Sequence, residues 1–223
     1  MAQQSKQTIK QERDARRLEK VAAFKKEQAR QRRNRRIGII SAIVGSLAIV
    51  SLIVTAIVIS YKPPVDPDSI AIEGVENFGT LSASHIDPQP VDYQAEYGMT
   101  VPAGGNHWGA WLNCGVYSEV QQNERAVHSL EHGAVWITYD PELVTGDDLE
   151  TLRDKVPSTY AILSPYPDLG SPVAMAGWGN SLQLDGVDDE RFDLFIQKFW
   201  KAPTVPEPGA ACTGQTDGPG RIS

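Results

Sequence analysis

Residues 37–60 read IGIISAIVGSLAIVSLIVTAIVIS, 24 consecutive positions without a charge. A helix crossing the hydrocarbon of a bilayer needs about 20 such residues at 1.5 Å rise each. The run is apolar on every face, whereas a helix packed on a soluble core shows one apolar stripe. A cleaved leader would carry a shorter stretch, roughly 7–15 residues, and an Ala-x-Ala-like site. Here Tyr61-Lys62-Pro63-Pro64 follows instead. The expectation is one transmembrane helix over residues 37–61, with Tyr61 as an interfacial anchor.

Charge divides at the same place. Residues 1–36 hold 13 Lys+Arg and 4 Asp+Glu, a net +9, and residues 37–223 hold 8 and 24, a net −16. This split excludes a simple soluble enzyme, a secreted protein with a cleaved leader and a multi-pass carrier. Arg30, Arg32, Arg33, Arg35 and Arg36 crowd one end of the run, and only Lys62 stands near the other. The positive-inside rule then predicts a single-pass protein of the cell membrane, N-terminus cytoplasmic and C-terminal domain extracytoplasmic. Anionic lipid accounts for the arginines at about 1 kcal/mol per basic residue near the surface, so nucleic acid is not an expected partner. The expected partners are membrane lipid, through the spanning helix and basic arm, and a larger membrane-protein assembly.

Five segments follow. Residues 1–36 form a basic cytoplasmic arm, too sparse in apolar residues for a core and read as a solvated helix or partly disordered. Residues 37–61 span the membrane. Residues 62–80 are a Pro-rich spacer, 81–201 the extracytoplasmic domain, and 202–223 an irregular tail with Pro203, Pro206, Pro208 and Pro219. Within the domain, residues 119–132 read as a helix closed by Gly133. Residues 134–139 are β-branched and aromatic, hence a strand. Thr145 can cap a helix carrying Leu149, Leu152 and Val156, stopped by Pro157. Residues 160–163, 172–178 and 181–184 read as strands. Residues 188–201 place Phe192, Phe195, Ile196, Phe199 and Trp200 on one helical face. The order predicts an α+β fold, a small antiparallel sheet with helices on one side, preceded by one transmembrane helix.

The chemistry concentrates in the histidines. In Val127-His128-Ser129-Leu130-Glu131-His132-Gly133, His128, Glu131 and His132 share one arc of a helix. Ala126, Val127 and Leu130 lie on the other side and define a core face, so the imidazoles are expected to face a groove or solvent. Histidines at i and i+4 can chelate one metal ion. The same string matches the His-x-x-Glu-His pattern of zinc peptidases, in which Glu131 would be the general base. Gly104 and Gly105 permit a tight loop that presents His107 beside Trp108 and Trp111. His85, followed by Ile86-Asp87-Pro88, is expected in a separate turn. Cys114 and Cys212 have two competing readings: a disulfide, which an extracytoplasmic compartment sustains, or Cys114 as a thiolate ligand with His107, His128 and His132. That donor set suits copper or zinc and not magnesium or calcium.

The strings Gly105-Asn-His107-Trp108, Asn113-Cys-Gly-Val-Tyr117 and Val127-His-Ser-Leu-Glu-His-Gly-Ala-Val-Trp-Ile137, in this order and spacing, resemble a bacterial family of single-pass membrane proteins with an extracytoplasmic domain of unknown function. The resemblance covers residues 75–212 and includes Ser164-Pro-Tyr-Pro167 and Ala176-Gly-Trp-Gly179. It implies topology and fold and brings no activity. The resulting expectation is a membrane-tethered accessory module binding copper or zinc through His107, His128, His132 and Cys114. The alternatives are a structural partner of a membrane assembly without a metal or cofactor, and a zinc-dependent hydrolase using Glu131.

Overall fold

The computed structural model describes residues 2–60 and 66–223, in two compact units. The first is a single helix, α1 (Ala2–Ser60), in which the basic arm runs without a break into the apolar stretch. Among the described residues it is the one helix long and apolar enough to cross a membrane, and its most apolar window buries nothing inside the protein. Tyr61 and the first residues of the expected spacer lie outside the described residues.

The second unit is an α+β domain around one six-stranded sheet. Its elements are β1 (Glu76–Asn77), α2 (Tyr93–Tyr97), β2 (Gly115–Val116), α3 (Asn123–Glu131), β3 (Val135–Tyr139), α4 (Gly146–Asp154), β4 (Ala161–Pro165), β5 (Val173–Gly177), β6 (Asn180–Leu184) and α5 (Arg191–Phe199). Strand order is β1-β6-β5-β3-β4-β2. Gly179, at φ 76°, closes the β5–β6 hairpin, and Gly133, at φ 97°, ends α3 as the sequence suggests.

Two details of the expected sheet are corrected. It is antiparallel from β1 through β3, but β3 pairs with β4 in parallel, Val135 opposite Ala161 and Tyr139 opposite Pro165, and β2 pairs with β4 in parallel too. The reason is α4, which carries the chain back to the starting end of β3 and makes a β-α-β crossover. Helices also cover both faces, not one. Trp136, Ile162, Ala174 and Ala176 face α3 through Ala126, Val127 and Leu130. Val135, Ile137, Leu163, Val173, Met175 and Leu182 face α4 and α5 through Leu152, Phe192 and Phe195. Side chains alternate along a strand, so a strand buried on both faces shows no polar alternation. Every residue of β3, β4 and β5 is buried.

The spacer is shorter than residues 62–80. Ile70 is buried, Ile72 and Val75 pack against the core on the α4–α5 face, and Glu76–Asn77 adds an edge strand to β6. From Ile70 onward the apolar residues belong to the domain. The tail is irregular, as expected, yet firmly held. Asn113 donates to Thr216 O at 2.7 Å, Ser118 to Gly220 O at 2.8 Å and Ile222 to Val116 O at 2.8 Å. Cys114 and Cys212 stand at disulfide distance, Cα atoms 5.4 Å apart across 98 residues of chain.

Trp136 fills the centre of the sheet, fully buried, with its Nε1–H donated to Ser164 Oγ at 2.9 Å. Trp136→Ala empties that volume and leaves the hydroxyl without its donor. We expect a loss of about 3–5 kcal/mol in urea denaturation with the helical far-ultraviolet signal of α1 retained; a loss under about 1 kcal/mol would contradict this packing.

Candidate metal centre

The amphipathic pattern of α3 leads to a different outcome from the one its sequence suggests. The core face is where it was expected, but the opposite face is buried as well. His128 is 3% exposed, Glu131 3% and His132 2%. Loops 103–112 and 205–212 close over that face. The imidazoles of His128 and His132 therefore point into a buried space between α3 and two loops, and not into solvent.

Each loop is held by bonds that also orient a histidine. The α2 tyrosines grip the first: Tyr93 Oη donates to Asn106 O at 2.8 Å, and Asn106 N–H donates to Tyr97 Oη at 3.1 Å. A Cβ on Gly105, at φ 101°, would meet the Tyr97 ring at 2.7 Å, so only glycine fits. Gly105 O lies 2.8 Å from Nδ1 of His107. Trp108 O lies 2.6 Å from Nδ1 of His128. The tail completes the second wall. Glu207 and Gly209 donate backbone N–H groups to Glu131 O and His132 O at the end of α3, where helix carbonyls lack partners. Ala211 O lies 2.6 Å from Nδ1 of His132.

A carbonyl oxygen only accepts, so in all three histidines Nδ1 carries the proton and Nε2 faces inward. Nε2 of His107, His85 and His128 lie 2.9, 3.7 and 3.9 Å from one oxygen, Oε2 of Glu131. The His107 contact is the shortest of the three. A carboxylate oxygen cannot face an imidazole lone pair at that distance unless a proton or a cation lies between them. With nitrogen and oxygen ligands about 2.0–2.1 Å from a tetrahedral zinc, two donors stand roughly 3.3 Å apart. The three Glu131 distances bracket that value, and the donor atoms of His85, His107, His128 and Glu131 all lie within 4.8 Å of one another. Backbone carbonyls on Nδ1 are also the usual outer partners of metal-ligating histidines.

The structure thus brings together His107 and His128 from the sequence-derived set, and it adds Glu131 and His85. The expectation that His85 occupies a separate turn is overturned. Ile86 N–H donates to His107 O at 2.9 Å and His107 N–H to Ser84 O at 3.1 Å, a parallel bridge that sets the two rings 4.9 Å apart. Such a pairing between chain segments has no signature in local spacing. His132 belongs to a neighbouring group with His128 and Glu207. Glu207 stands between Pro206 and Pro208 in the irregular tail. Cys114 joins neither group; its sulfur faces Cys212, so the thiolate reading is corrected.

Residues 88–214, more than half of the chain, match the family described as Protein of unknown function (DUF3105). The chain belongs to this family. The DUF3105 segment contains His107, His128, Glu131, His132, Glu207 and both cysteines, while His85 stands three positions ahead of it. No curated protein and no solved structure matches the chain.

The electrostatics of the site fix the sign of its pH response. Burial pushes His128 below its ordinary value and outweighs the bond to Trp108 O, with the neighbouring His107 and His132 adding to the decrease. For Glu131, burial works upward, but the His107 hydrogen bond and the fields of His107, His128 and His85 hold the carboxyl below the usual range. Both groups resist protons more in the folded chain than in the unfolded one. Their stabilising effect is therefore complete above the unfolded value: about 6.5 for His128 and about 4.3 for Glu131. It is lost as pH falls from there through each folded value. In metal-free protein the urea midpoint should fall more between pH 7.5 and 5.5 than it does in His128→Gln. Equal slopes in the two proteins would contradict the buried, neutral imidazole.

Proposed function

We propose that this protein is a membrane-tethered accessory module whose extracytoplasmic domain binds zinc or copper(II) through His85, His107, His128 and Glu131. The observation that carries the reading is the convergence of three Nε2 atoms on one buried carboxylate oxygen, with His107 and His128 each anchored by a backbone carbonyl. Neutral imidazoles with one carboxylate favour zinc or copper(II) over magnesium or calcium. With Cys114 facing Cys212, no thiolate contributes, which argues against a site built for copper(I). In this reading α1 crosses the membrane with its arginines on the cytoplasmic side, where anionic lipid holds the arm. The hydrolase alternative needs Glu131 free to take a proton from water. Its Oε2 is the point at which three imidazoles meet, which supports a ligand role instead.

Full-length protein in detergent, stripped of metal and titrated with zinc or copper(II), should gain stability by mass action. The gain is about 2.7 kcal/mol when free metal reaches a hundred times its dissociation constant. His107→Ala and His128→Ala should weaken binding at least about tenfold each, and His85→Ala should do so too. Glu131→Gln should lose affinity as a ligand variant would; metal retained with an activity abolished would favour the hydrolase. A melting curve indifferent to both metals would reject the centre and leave the non-metal structural partner of a membrane assembly.

Topology has its own test. A protease added outside wall-free cells should degrade the domain beyond residue 65 and leave the basic arm protected. Cleavage within residues 1–36 under those conditions would reverse the orientation.

A further inference from the structure

Beside the four-donor group lies a second one, His128, His132 and Glu207, whose donor atoms also lie within 4.8 Å of one another. Nε2 of His132 is 3.4 Å from Oε2 of Glu207, and its Nδ1 is occupied by Ala211 O. His128 is a member of both groups, and its Nδ1 is occupied by Trp108 O. Its Nε2 is therefore the donor to either group, and one lone pair holds one ion at a time. The geometry points to a second, outward metal position formed by His128, His132 and Glu207. One zinc or copper(II) ion would alternate between this position and the buried one, making the cluster a relay that hands the ion to an acceptor. This inference rests on the metal-binding reading above.

Each position has one donor at the surface, His85 at 45% exposure and Glu207 at 53%, and the inner position is the more enclosed because it adds fully buried His107 and Glu131 at 3%. In the transfer the bonds from His85, His107 and Glu131 to the ion break, those from His132 and Glu207 form, and the His128 bond persists. Each position supplies one carboxylate to the ion, and as the ion leaves the inner position a proton from water takes its place between His107 Nε2 and Glu131 Oε2, so the buried carboxylate stays paired. The outer position has three protein donors. A tetrahedral ion there keeps one site for water or for a ligand from an acceptor, as exchangeable zinc sites do. Trp111 supplies an independent sign of an occupant. Its ring packs edge-on against His132, centroids 5.0 Å apart, and its buried Nε1–H has no acceptor among the described residues. A water on the outer ion would provide one.

The test follows the ion in full-length protein in detergent. Protein loaded with one equivalent of zinc is mixed with an excess of a chromogenic chelator, and transfer is timed by stopped flow. Glu207→Gln keeps the shape of the side chain and the backbone bond to Glu131 O, yet should slow transfer about tenfold or more. Glu142→Gln, on an exposed turn elsewhere in the domain, should transfer at the parent rate. The equilibrium arm uses His107→Ala, in which the residual affinity shifts to the outer position. Adding Glu207→Gln there should weaken zinc binding by at least about tenfold again. Saturation should stop at one ion per chain. Two ions held at once would overturn the alternation. A parent that binds zinc but is indifferent to Glu207 in both arms would overturn the outer position alone. A parent that binds no zinc would remove the inner centre and the relay together.

Discussion

The carboxylate of Glu131 is the constraint on which the rest of this domain depends. It is buried and ionised at the end of a helix, and a charge in that setting costs several kcal/mol unless it is paired. Three imidazoles from three separated stretches of chain meet it, and each stretch must be held in place. The Gly104-Gly105 loop is clamped by Tyr93 and Tyr97, residues 84–86 are bridged to His107, and the tail is tied to the last carbonyls of α3. Much of the irregular backbone of the domain can be understood as the means of bringing donors to one point.

The sheet makes that possible by being rigid and covered twice. α4 and α5 occupy one face and leave the other to α3, whose apolar side packs on Trp136 and Ile162 and whose polar side is turned toward the loops. The helix is thus buried on both sides for different reasons: apolar contact below, satisfied polar groups above. Cys114 and Cys212 sit where the middle of the irregular tail meets the start of the edge strand β2. Cys114 N–H donates to Cys212 O at 2.6 Å, and Ala211, next in the chain, accepts from His132. Anchoring the tail there secures both its bond to His132 and the position of Glu207.

Glu131 is engaged within its own cluster. A general base must be free to take a proton from its substrate, and Glu131 is engaged by His107 at 2.9 Å. DUF3105 membership adds no activity to weigh against that reading.

How much of this was legible in the sequence depends on how far apart the interacting residues are. Residues 37–60 declare a long apolar helix by composition alone, because no neighbour is needed to make 24 uncharged residues apolar. The elements α3, β3, α4, β4, β5, β6 and α5 follow from local periodicity, capping residues and breakers, since those act within a few positions. His128 and Glu131 were visible for the same reason, sharing one turn of helix. What the sequence could not decide was every relation between distant segments. The parallel pairing of β3 with β4 and the helices on both faces depend on how the crossovers pack. The inclusion of His85, the separation of His132 from His107, and the arrival of Glu207 from the tail depend on where loops cross. The donor face of α3 reads as a solvent face in the sequence because polarity alone does not reveal that other polar groups will cover it. Only the tertiary structure places Gly105 O, Trp108 O and Ala211 O on the outer nitrogens of three histidines, and so turns the inner nitrogens of His107 and His128 toward Glu131 and that of His132 toward Glu207.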